Sequence, residues 1–312
     1  MDPLRLVRLP ALMALGEGSP KLAIGLVDGP VAVDHPDLAA AAVRPLDVRR
    51  GARADAGSAA CRHATSVAGI LAARRGADAP AIAPGCPLLV RPIFLEPGPG
   101  GAPRATPAEL AAGIAECVDA GARIVNISAA VDGAGADAGL CAVLDYCLGR
   151  GVLVVAAAGN QGRLAGSVVT RHRWVLPVVG YSAAGRVLAE SNLGASIGRR
   201  GLGAPGAGVR SLTPGGPSAV LAGTSVAAPF VAGAAALLWS AFPGASAAEI
   251  KHAMLASPGG RRTVAPPLLD AEAAYQQLWN RQRRQPSDRK RSHVADPNRA
   301  PAGPPARVPG RG

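Results

Sequence analysis

Short aliphatic and β-branched runs alternate along this chain with longer stretches of small and apolar residues, for more than 150 residues. The short runs, at residues 22–27, 88–95, 123–128, 153–157 and 174–179, read as strands. The longer ones, at 65–75, 107–120, 137–150, 227–241 and 247–256, read as helices. Gly121 and Gly151 stand where a helix stop is expected. Thr106-Pro107 supplies an N-cap with proline in the first turn. Strand, helix, strand, helix over this length predicts an α/β fold, a mainly parallel central sheet with helices on both faces.

Chemistry-bearing residues fall at element ends. The first strand ends in Asp28, and open α/β sheets carry their sites at the carboxyl ends of strands. A carboxylate after five apolar residues would be a costly buried charge without a partner. His63 opens a small-residue helix, and the strand at 153–157 runs into Gly159-Asn160. Gly223-Thr224-Ser225 precedes the apolar run 230–242. Alone, that tripeptide reads as a helix N-cap, and Gly-Asn reads as a turn. Together, an Asp, a His and a Ser at element ends form the general set of orienting acid, base and nucleophile.

With these motifs in the order Asp, His, Ser, the chain resembles the subtilisin-like serine proteases. The likeness rests on Leu26-Val27-Asp28-Gly29, on His63, on Ala156-Ala157-Ala158-Gly159-Asn160 and on Gly223-Thr224-Ser225-Val226-Ala227-Ala228-Pro229, with Gly203-Ala204-Pro205-Gly206 between, and covers residues 21–257. It implies a three-layer subtilisin-like fold and a serine endopeptidase with Asp28, His63 and Ser225 as its triad. The Asn160 side chain and the Ser225 N–H would form the oxyanion hole. Ser128, Ala129 and Ala130 would form an edge for an extended peptide or protein substrate, and Ala157, Ala158 and Gly159 the pocket for the residue before the cut. No cofactor or metal is expected. The opening at residues 9–36 is similar to that of proteases that mature cyanobactin-type precursor peptides. Two departures stand out: Gly29 directly follows Asp28 where Ser or Thr and then Gly are usual, and Ala64-Thr65-Ser66 follows His63 where Gly-Thr-His is usual. They keep open a catalytically impaired binding protein on the same scaffold.

The chain has 312 residues, 49% of them hydrophobic and only 3% aromatic. That suffices for one core of about 250 residues, expected as a catalytic domain at 21–279 after a short extension at 1–20. No uninterrupted apolar run reaches membrane-spanning length, and the charged start lacks a signal-type core, which together point to a cytoplasmic enzyme. The five cysteines, without a C-x-x-C pair, read as free structural thiols, Cys61 included. A Gly/Pro-rich loop between 95 and 107 reads as a surface connection. Residues 280–312 read as a disordered basic Pro/Arg-rich tail, carrying much of the formal charge of +12. No aromatic residues interleave with its arginines, which favours a solvated extension over a nucleic-acid or surface binder.

Overall fold

The structure, a computed structural model, describes residues 2–46, 55–94, 105–128, 137–256 and 263–284. Seven parallel strands form one sheet: β1 (Ala23–Asp28), β2 (Val43–Pro45), β3 (Leu88–Pro92), β4 (Ala122–Ile127), β5 (Leu153–Ala157), β6 (Leu176–Tyr181) and β7 (Leu202–Pro205). Their spatial order is β2-β3-β1-β4-β5-β6-β7. The chain builds one side of β1 first and then crosses to the other side with β4. A crevice therefore opens at the carboxyl ends of β1 and β4. A separate antiparallel hairpin joins β8 (Ala207–Thr213) to β9 (Gly216–Ala222).

The helices are α1 (Pro3–Leu6), α2 (Leu9–Ala14), α3 (Ala59–Ala72), α4 (Pro107–Asp119), α5 (Ala138–Gly149), α6 (Val168–Arg171), α7 (Ala195–Arg200), α8 (Thr224–Ala241), α9 (Ala247–Leu255) and α10 (Ala271–Arg284). Thr106 caps α4 through a capping box with Glu109, and Asp137 caps α5 by accepting the Leu140 N–H. Gly121 and Gly151 follow these two helices at φ +95° and +65°, the left-handed stop expected of them.

Strand alternation decides what faces the crevice. In β1, Gly25 turns toward α4: a Cβ there would lie 2.8 Å from the Cys117 Cβ. Val27 shares that face, within 3.4 Å of a Cβ placed on Gly113 of α4. Ile24, Leu26 and Asp28 consequently face the opposite layer, where α3 and α8 pack. Leu26 pairs with Asn126 of β4, so Asn126 shares the face of Asp28.

Helix α8 is the centre of that layer and packs against β4, β5, β6, β7 and α3. Phe230, Val231 and Leu238 are fully buried, each contributing roughly 1.5–3 kcal/mol of hydrophobic stabilisation. By length and composition this helix could cross a bilayer, a run the sequence reading passed over. Its most apolar window is 89% buried inside the protein, as a core helix must be.

Several element ends differ from the sequence reading. Helix α3 starts at Ala59, not near His63, because Ser58 accepts the Cys61 N–H and caps it four residues earlier. Strand β6 sits two residues later than expected, at Leu176–Tyr181. Residues 2–20, read as an extension, are built into the body: Val7, Leu9 and Leu12 are buried, and Arg75 donates to the carbonyls of Met13 and Gly16. Arg281, Arg283 and Arg284, read as the start of the tail, instead lie in the last turn of α10. The loop at 95–104 and the segment 285–312 lie outside the described residues.

Candidate active site

Asp28 ends β1 fully buried, and His63, in the second turn of α3, donates from Nδ1 to Asp28 Oδ1 at 2.8 Å. A carboxylate oxygen can only accept, so Nδ1 carries the proton and Nε2 is the free ring nitrogen. The Gly29 N–H also donates to Oδ1, at 2.7 Å, while Oδ2 is buried without a partner. Burial disfavours the imidazolium of His63, but the charge and hydrogen bond of Asp28 outweigh it, and the pKa is raised above the ordinary 6.5. The side chain of His63 keeps 36% of its surface exposed.

Ser225 is the second residue of α8 and 8% exposed. Its N-cap is Gly223 at φ +123°, which brings no capping side chain. Asn160 caps the helix from the turn after β5, its Oδ1 accepting the Thr224 N–H at 2.8 Å. Because that donor faces it, the oxygen must be on this side and Nδ2 on the other. In return the Thr224 Oγ1 accepts the Gly159 N–H at 3.1 Å. The first-turn N–H of Ser225 has no intrahelical acceptor. Asn160 and Ser225 are thus joined through Thr224. No hydrogen bond links His63 to Ser225 among the described residues.

Asn192 holds the same turn from behind. Its Oδ1 accepts the N–H groups of Gln161 and Arg163 at 3.2 and 3.0 Å, and its Nδ2 donates to the Ala158 carbonyl and to Gln161 Oε1. All four hydrogen-bonding positions of the amide are used. Gly159 adopts φ +102°, and a Cβ there would stand 2.4 Å from Asn192 Nδ2, so only glycine fits.

Residues 19–285 match the subtilase family, Peptidase S8. The chain belongs to that family. It is 31% identical over 251 residues to thermitase of Thermoactinomyces vulgaris, covering 80% of this chain and 84% of the relative. The solved structure of a mutant of the PatA protease domain superposes with a TM-score of 0.78 at 33% identity, over 85% of this chain and 97% of that one. The prenylagaramide maturation protease PagA gives 0.76 at 29% identity, over 86% and 98%. This subtilase is therefore a serine protease with the expected parallel α/β fold.

Both departures from the usual motifs have structural reasons. Gly29 is packed against the Ala60 backbone, with no room for a side chain. Ser66 stitches α3 to β8 reciprocally: its Oγ donates to the Leu212 carbonyl, and Ser211 Oγ donates to the Ser66 carbonyl, both at 2.7 Å. All five cysteines are free, and burial raises the Cys61 thiol pKa, so it is an inert core group beside the site. Of the residues expected to bind substrate, Ala157, Ala158 and Gly159 line the end of β5, and Ser128 follows β4. Ala129 and Ala130 lie outside the described residues. Sequence reasoning missed the roles of Thr224 and Asn192; of these only Thr224 sat inside a motif already singled out.

Proposed function

We propose that this subtilase hydrolyses peptide bonds through Asp28, His63 and Ser225, and that it matures a precursor peptide. The observation that carries the mechanism is the 2.8 Å bond from His63 Nδ1 to buried Asp28, which leaves Nε2 turned outward as the base. Ser225 Oγ attacks the scissile carbonyl carbon as Nε2 takes its proton. The tetrahedral oxyanion is met by Asn160 Nδ2 and the Ser225 N–H. The C–N bond then breaks, with His63 returning the proton to the leaving amine. Water attacks the acyl-enzyme by the same route and frees the carboxylate. The lack of a hydrogen bond between His63 and Ser225 among the described residues is compatible with this, since such contacts often tighten only when substrate binds.

Ser128 through Ala130 would pair with an extended peptide as an added strand. The small walls of Ala157, Ala158 and Gly159 would admit the side chain before the cut. The maturation reading is supported by the likeness to PatA and PagA, two maturation proteases. Residues 21–279 would carry the chemistry, with the segment beyond taking no part. Incubation with a peptide library, followed by sequencing of the products, tests this. Cleavage confined to one short motif, and lost in Ser225→Ala, is expected; broad cleavage would count against maturation. Deletion of residues 285–312 should leave kcat/KM on a short neutral peptide unchanged.

A further inference from the structure

We infer that Asn126 and Ser128 position the nucleophile by closing a gap that Pro229 opens in α8; the inference rests on Ser225 being that nucleophile. In a regular helix the carbonyl of Ser225 accepts the N–H four residues on. That residue is Pro229, inside α8, which has no N–H. Its ring also presses on the carbonyl four residues back and tilts it out of the helix. The orphaned acceptor thus belongs to the residue that carries the attacking hydroxyl.

The missing donor comes from the neighbouring strand. Ser128 Oγ donates to the Ser225 carbonyl at 3.3 Å, and Asn126 Nδ2 donates to Ser128 Oγ at 2.7 Å. The direction of this relay follows from the groups themselves. A carbonyl only accepts, so the single hydroxyl proton of Ser128 goes to Ser225; Oγ can then only accept from Asn126, which must present its NH2. That orientation leaves Asn126 Oδ1 buried without a partner, in a residue with no exposure at all. An aliphatic side chain on this face of β4 would avoid that desolvation penalty. What the amide provides instead is the bond that orients Ser128. The relay therefore ties the first turn of α8 to the strand beside Asp28, fixing the depth and rotation of Ser225 in the crevice.

This differs from a direct substrate contact by the Ser128 side chain, and Pro229 supplies the means of telling them apart. Ser128→Ala, Pro229→Ala and the double variant are compared by kcat and KM on a short neutral peptide. The rate of labelling by a fluorophosphonate probe, which needs the nucleophile but no peptide contacts, is measured alongside. Ser128→Ala should lower kcat and the labelling rate about tenfold, the loss of one hydrogen bond, with KM changed less than about twofold. Pro229→Ala restores a backbone donor, so adding Ser128→Ala to it should cost little further. An equal loss in both backgrounds, or an effect confined to KM, would overturn the positioning role. Asn126→Val gives an independent arm should Ser128→Ala not fold: slower labelling with a melting temperature no lower than wild type is expected, and an unchanged labelling rate would remove Asn126 from the relay. If Ser225→Ala is itself labelled, the proposed nucleophile is wrong, a failure distinct from either of these.

Discussion

Gly29 lies so close to the carbonyl of Ala60 that a Cβ at residue 29 would stand 2.3 Å from that oxygen. This contact seats the first turn of α3 on the end of β1, and the next turn of the helix delivers His63 to Asp28. Gly29→Ala must push the two elements apart, because both contacting groups are backbone. The substitution should destabilise the fold by about 1–3 kcal/mol, the usual cost of overpacking. It should also lower kcat by loosening the His63–Asp28 bond. Thermal melts and steady-state kinetics check both; a variant as active and stable as wild type would show that the approach of α3 does not set the site.

The raised pKa of His63 has two consequences with opposite senses. In the proposed mechanism His63 is a general base that acts when neutral, so kcat/KM should rise with pH through a single ionisation above 6.5 and then level off. For stability, the folded state holds this proton more tightly than the unfolded chain. The contribution is full below the unfolded value of 6.5 and is lost as pH rises through the folded pKa. The stability deficit of His63→Ala relative to wild type should therefore shrink as pH rises above 6.5. A deficit that grows over this range would contradict the sign of the shift.

Asn160 and Thr224 should separate in the kinetics. Among subtilisins, loss of one oxyanion donor costs about a hundred- to a thousand-fold in kcat, so if Asn160 is the proposed donor, Asn160→Ala should fall in that range with little change in KM. Thr224→Val keeps the backbone N–H that Asn160 Oδ1 accepts but removes the Oγ1 that accepts the Gly159 N–H. It should lower kcat less, by about tenfold. In the Asn160→Ala background, Thr224→Val should add little, since its effect passes through the Asn160 turn. Full additivity in the double variant would mean that Thr224 acts elsewhere.

How far the site was legible follows from what kind of signal each residue leaves. Asp28, Asn160 and Ser225 each sit in a short contiguous motif at or just past an element end, and His63 in the second turn of α3, so order and context could be read together. The start of α3 lies earlier than its motif suggests because Ser58 caps a first turn, Ala59-Ala60-Cys61-Arg62, with no apolar period to announce it. The β8–β9 hairpin escaped notice because β9 is mostly exposed and reads Gly216-Pro217-Ser218-Ala219, composition that resembles a loop. Asn192 leaves no local trace: its bonds span about thirty residues to the Asn160 turn and exist only once the chain has folded. The docking of residues 2–20 through Val7, Leu9 and Leu12 is likewise tertiary, set by Arg75 and by the surface that α8 offers to α2.

Lys251 provides a test remote from the chemistry. It is 8% exposed on α9, donates to the Arg173 carbonyl at 3.0 Å, and lies 4.7 Å from the centre of the Trp174 ring. Burial, with a smaller contribution from Arg200, lowers its pKa to about 8 from 10.5. The folded state therefore releases this proton before the unfolded chain does. Between about pH 8 and 10.5 the unfolded state binds more protons, and stability should rise with pH over that window, opposite in sense to His63. Below pH 8 both states hold the proton and the penalty for the buried charge is present in full. Lys251→Met, which keeps the length of the side chain without its charge, should abolish this component. Urea melts of both proteins from pH 7 to 10.5 measure it as a difference, so that tyrosines and cysteines titrating in the same range cancel. The stability of wild type relative to the variant is expected to increase with pH; a flat or falling difference would show that Lys251 is not held against its charge.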